Sequence, residues 1–176
     1  MLIDSHCHLD FEDFGAEREE VLARARRAGV GGMLTICTKV TEFPAVRSLA
    51  EGHDDIWCSV GIHPHEAASQ PETDAARLSD LASHPKVVGI GETGLDFFYD
   101  HSPRGRQQAV FRAHCAAARE TGLPLIVHTR NADRETMPRA IPTREEIGEP
   151  LGGNRAAMSG RSRLSTARNR PAYIPV

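Results

Sequence analysis

Five short, unbroken apolar runs separated by amphipathic stretches restrict this chain more than any other feature. The runs are Leu2-Ile3, Met33 to Cys37, Ile56 to Val60, Val87 to Ile90 and Leu125 to Val127. A strand with one wet face alternates apolar and polar residues, whereas one covered on both faces reads as a continuous run. The segments between carry helical stripes: Val21, Leu22, Ala25 and Ala28 before Gly29, then Phe43, Val46, Leu49 and Ala50, then Leu78, Leu81 and Ala82. A fourth stripe, Val110, Phe111, Cys115 and Ala118, is opened by Ser102-Pro103 and closed by Gly122. The order β-α-β-α-β-α-β-α-β predicts an α/β fold with a parallel sheet.

The character of the chain changes near residue 136. Residues 1–136 hold 14 Lys+Arg against 21 Asp+Glu, whereas residues 137–176 hold 7 Arg against 3 Glu. The later segment has five Pro and four Gly in forty positions, and its Leu, Ile and Val fit neither helix nor strand period. Such a stretch buries too little apolar surface to offset its ordering entropy, so we expect a domain over 1–136 and a poorly ordered basic tail over 137–176. No run approaches the length of a membrane span, and the N-terminus has neither the basic nor the apolar part of a signal peptide. The four cysteines lie far apart with no C-x-x-C pair, as expected of reduced thiols in a cytoplasmic protein. A net charge of −3 excludes a wholesale nucleic-acid coat while leaving room for a local basic groove.

All nine histidines fall between His6 and His128. His6 and His8 follow the first run, and alternate residues of an extended chain point to one side. His63 and His65 follow the third run, Glu92 the fourth and His128 the fifth. Four of five strands thus end in His or Glu along one sheet edge, the carboxyl edge where α/β folds build their sites. Imidazoles with a carboxylate suit Zn, Mn, Fe or Ni.

Each residue taken singly has a plainer reading. An H-x-H pair can cap backbone groups, Glu92 can sit at a helix N-terminus, and His63 and His65 can serve a turn around Pro64. His114 shares a helical face with Val110 and Phe111, which makes it packing. Gly91 and Gly94 read as turn residues, since no phosphate-binding glycine pattern is present. Agreement among four strand ends favours the metal reading over independent structural roles.

The segments MLIDSHCHLD, GIHPH, GIGETGLDFF and LPLIVHTR resemble the TatD-type metal-dependent deoxyribonucleases, within the wider amidohydrolase-like group, from Met1 to about Thr136. That resemblance implies a (β/α)8 barrel cleaving DNA phosphodiesters with two divalent metals, Mg, Mn or Zn. By position it implies that His6 and His8 hold one metal, His128 the other, and Glu92 bridges both as the catalytic carboxylate. His63 lies near substrate phosphate in that scheme, with His65, Asp96 and Arg130 as further substrate contacts. DNA is the implied substrate; no membrane partner is implied, and the oligomeric state is left open.

The tail departs from the family pattern. It has no His and no Asp, so it cannot supply the family's two later ligands. Five strands also fall short of an eight-stranded barrel, which takes about 250 residues. We therefore expect an incomplete (β/α)8 barrel of about five β/α units, truncated, with a tail that reads like high-GC coding in a shifted frame, and weak or absent DNA cleavage. The competing readings are another amide, ester or phosphoester hydrolase on a related barrel, and a non-enzymatic truncated product.

Overall fold

Strands stand side by side in the order in which the chain makes them. β1 (Leu2–Cys7), β2 (Val30–Thr35), β3 (Ile56–Val60), β4 (Val87–Asp96) and β5 (Leu125–Arg130) pair in parallel, each with the next, and curl into a half-barrel. The computed structural model describes residues 1–140 and 173–175. Helices α1 (Arg18–Arg27), α2 (Phe43–Glu51), α3 (Ala75–Ala82) and α4 (Arg104–Thr121) connect successive strands, and α5 (Asp133–Ala140) follows β5. Parallel neighbours require such crossovers, because no tight turn can return the chain to the same end of the sheet.

The sequence stripes account for how the helices pack. Phe43, Val46 and Ala50 of α2 are buried, as are Leu78 and Ala82 of α3 and Val110, Phe111, His114, Cys115 and Ala118 of α4. Asp74 starts α3 by accepting the Arg77 amide at 2.8 Å, and Gly122 ends α4 in the left-handed region that a Cβ would disfavour. One core cluster runs from Leu22 through Met33, Ile56 and Ile90 to Val127. Each fully buried Leu, Ile or Phe in it contributes about 1.5–3 kcal/mol over an exposed one.

The strands outrun their apolar runs. β1 continues through Cys7, β4 through Asp96 and β5 through Arg130, so His6, Glu92 and His128 lie within strands rather than beyond them. The ladder needs only backbone groups, whereas hydrophobic patterning stops at the first polar side chain. Gly91 and Gly94, expected in a turn, are likewise inside β4, both at positive φ. Their strand neighbours leave no room for side chains: a Cβ on Gly91 would meet the Ile126 backbone and one on Gly94 the His128 carbonyl. β1, at the sheet edge, is not covered on both faces, and Leu2 and Ile3 are exposed.

Two elements enter the tail beyond residue 136. α5 runs on to Ala140, and β6 (Tyr173–Pro175) pairs in parallel with the outer edge of β5, placing Leu125 opposite Tyr173. Three residues are too short to show a period, and an open strand edge recruits backbone irrespective of pattern. The remainder of the expected tail, residues 141–172 and 176, lies outside the described residues.

Candidate metal centre

Two imidazoles from the end of β1 and a carboxylate from β4 come together. The His6 and His8 ring centroids are 5.2 Å apart, and His6 Nε2 lies 3.4 Å from Glu92 Oε2. His8 Nδ1 is 3.3 Å from the Ile36 carbonyl, which can only accept, so Nδ1 carries the proton and Nε2 keeps its lone pair. His6 Nδ1 is buried with no hydrogen-bond partner among the described residues. The donor atoms of His6, His8 and Glu92 all lie within 4.8 Å of one another. Two imidazoles and one carboxylate suit a divalent ion of the zinc or manganese type.

Glu92 faces a second group with its other oxygen. Oε1 is 3.5 Å from His128 Nδ1 and 3.8 Å from His63 Nε2, and these three residues also offer donors within 4.8 Å of one another. Glu92 is the residue common to both groups. Only 4% of it is exposed. Burial would raise its carboxyl, but His128 and His6, with His63 beside them, outweigh that and hold it well below the usual carboxylate range. It is an anion enclosed by imidazoles.

Asp96, at the end of β4, is fully buried and engages both its oxygens. Oδ1 accepts the amides of Phe98 and Tyr99 at 3.0 and 2.9 Å. Oδ2 lies 2.7 Å from His65 Nε2 and 3.1 Å from His128 Nε2. A carboxylate accepts, so His128 carries a proton on Nε2 and turns Nδ1 toward Glu92. For His128, burial disfavours the charged ring, yet its hydrogen bonds to Glu92 and Asp96 prevail and raise its pKa.

His63 differs. Its Nδ1 accepts the His65 amide at 3.2 Å, which occupies the single lone pair of a neutral ring and puts the proton on Nε2. Burial pushes this imidazole down to about 4, which keeps it neutral. Behind it, Ile62 N–H donates to Nε2 of His114, whose Nδ1 meets the Val110 carbonyl at 2.8 Å. His114 is fully buried and makes no part of either donor group, consistent with packing.

The structure thus brings His6, His8, Glu92, His63 and His128 to one place, with His65 and Asp96 adjoining through His128. The buried Asp96 carboxylate, expected among the substrate contacts, is engaged by two rings and two amides instead of facing the cleft. Arg130 stands outside, its guanidinium 5.1 Å from the Tyr99 ring centre. A cleft of about 300 Å³ opens over the centre, lined by His6, His8, Phe11, Thr38, His63, His65, Glu66 and Glu92. Sequence reasoning passed over Phe11, which stacks on His8 at 4.7 Å, and Thr38 and Glu66. Lone residues in loops carry no periodic signal to reveal them.

Known proteins share this arrangement of strands. The chain is 34% identical over 165 residues to the metal-dependent hydrolase YabD of Bacillus subtilis, covering 94% of this chain and 64% of that protein. It is 38% identical over 147 residues to the 3'-5' ssDNA/RNA exonuclease TatD of Musicola paradisiaca, covering 83% of this chain and 56% of that one. The chain therefore spans between about half and two thirds of these relatives' lengths. The crystal structure of YJJV, a TatD homologue from Escherichia coli, superposes with a TM-score of 0.70 at 33% identity, over 77% of this chain and 53% of that one. The family model for TatD related DNase matches residues 3–147, and the chain belongs to that family.

Proposed function

We propose that this protein is a metal-dependent hydrolase of phosphodiester bonds in nucleic acid, with DNA as substrate and Glu92 shared between two cation sites. The observation that carries the proposal is one buried carboxylate, Glu92, set between His6 and His8 on one side and His128 on the other. The names of the relatives, a metal-dependent hydrolase and an ssDNA/RNA exonuclease, support the same chemistry.

His6 and His8 would hold the first ion and His128 the second, with Glu92 between them. Cations held there would supply a nucleophile at neutral pH and neutralise charge on the attacking and leaving oxygens of a phosphodiester. The protein's part is orientation. The Ile36 carbonyl holds the His8 ring by its Nδ1, and Asp96 holds the His128 ring by its Nε2, so each turns its other ring nitrogen to the centre. His63, whose lone pair is already committed, is a poor ligand and a good donor: its Nε2–H suits a phosphate oxygen entering the cleft. His65 steadies both neighbours, donating to Asp96 through Nε2 and to His63 through its amide. Arg130 adds positive charge at the rim. Among the described residues the first ion has three protein donors, and the second has Glu92 and His128.

The test is cleavage of a single-stranded oligonucleotide by the purified protein with Mg or Mn, beside a small phosphomonoester and an amide. Slow cleavage of the oligonucleotide is expected, stopped by chelator and absent from Glu92→Gln. Cleavage that survives either treatment, no cleavage by protein that binds the metal, or turnover of the amide alone would overturn the proposal.

A further inference from the structure

Among the described residues, three aromatic side chains count as large exposed hydrophobics: Phe11, Phe98 and Tyr99, 42%, 60% and 49% exposed. All three stand at the rim of the metal centre, whereas Phe43 and Phe111 are buried in the core. Phe11 belongs to the cleft wall against His8. Tyr99, with Phe98 beside it, adjoins the cleft through His65: the Tyr99 ring meets His65 edge-on at 5.6 Å, and His65 lies 5.9 Å from His128.

Phe98 and Tyr99 are held firmly despite their exposure. Both backbone amides are fixed by Asp96 Oδ1, the carboxylate whose other oxygen holds His65 and His128. The rings pack edge to face at 4.8 Å, Tyr99 stacks parallel to His101 at 5.4 Å, and Arg130 lies over both, 6.0 Å from Phe98 and 5.1 Å from Tyr99. Aromatic rings left in water at fixed positions, with a guanidinium over them and a phosphate-chemistry centre one imidazole away, match what unpaired bases require. A base has a π-face to stack and a phosphate to neutralise, and such stacking is tolerant of sequence. Bases inside a duplex are already stacked and cannot use the rings.

We propose that Phe98, Tyr99 and Arg130 form a base-stacking subsite that seats unpaired nucleotides next to the metal centre. This rests on the nucleic-acid reading of the site, and the test separates the two. Binding is measured by fluorescence anisotropy at fixed salt, with chelator present so that nothing is cleaved. The probes are a short labelled oligothymidylate and an abasic oligonucleotide with the same number of phosphates.

The full chain should bind the oligothymidylate about tenfold or more tightly than the abasic probe, the effect of one well-stacked base. The double variant Phe98→Ala/Tyr99→Ala should bind both probes at the abasic level, and Tyr99→Phe should keep the preference. Equal affinity for the two probes in the unaltered chain, no binding of either, or a preference that survives the double variant would overturn the subsite; the first two outcomes need no variant to fold. Metal-dependent cleavage is scored separately. Its absence beside an intact thymidine preference refutes the hydrolase reading alone, and cleavage without the preference refutes the subsite alone.

Discussion

Replacing His114 with leucine exposes a link between the core and the cleft. His114 is fully buried, donating from Nδ1 to the Val110 carbonyl and accepting the Ile62 amide on Nε2 at 3.0 Å. Leucine fills much of the volume but strands the Ile62 N–H, at a cost of about 1–3 kcal/mol at neutral pH. Burial also pushes the imidazole down to about 4, from about 6.5 in the unfolded chain. Between those values the unfolded chain binds a proton that the fold refuses. The His114 contribution is therefore complete above about pH 6.5 and falls away as pH drops toward 4, by up to about 3 kcal/mol. His114→Leu has no such acid limb. The stability gap between the two proteins should shrink on acidification and close or reverse near pH 4. Urea unfolding with chelator present, followed by the fluorescence of Trp57, the single tryptophan, measures it. A gap that stays constant from neutral pH down to 4 would refute the reasoning.

Three further outcomes follow from the geometry. Asp96→Asn keeps an acceptor for the Phe98 and Tyr99 amides but loses the carboxylate that sets the His128 tautomer, so metal affinity should fall about 10- to 100-fold by calorimetry while the circular dichroism spectrum is retained. Gly61→Ala would bring a Cβ to 2.5 Å from Gly91 Cα, backbone against backbone, and should cost about 3 kcal/mol in urea unfolding. Burial pushes the Cys37 and Cys58 thiols up to about 12, so both should resist a disulfide reagent at neutral pH until the chain is unfolded.

Much of this architecture is legible in the residues because parallel strands and amphipathic helices leave different periods. The runs around Cys58 and Ile90 mark β3 and β4, and the Phe43–Val46–Ala50 stripe marks α2. The convergence at the site is legible as well, since His6, Glu92 and His128 each follow the apolar run of a strand on the same side of the sheet. What the pattern conceals is where a strand stops once its side chains turn polar, as at β4, and where short contacts replace periodicity, as at β6. The division of labour among the imidazoles is also invisible in sequence. That His63 accepts from the His65 amide while His128 is held by Asp96 depends on distances that no spacing encodes. The burial of Asp96 belongs to the same class: a carboxylate after a strand suggests a surface contact until its two rings and two amides are seen.

The central claim is that one carboxylate serves two cation sites, and manganese uptake counted by electron paramagnetic resonance tests it most directly. The chain should take up Mn at both sites, His6→Ala should lose one of them, His128→Ala should lose the other, and Glu92→Gln should lose both. Manganese uptake by Glu92→Gln equal to that of the unaltered chain would contradict the account.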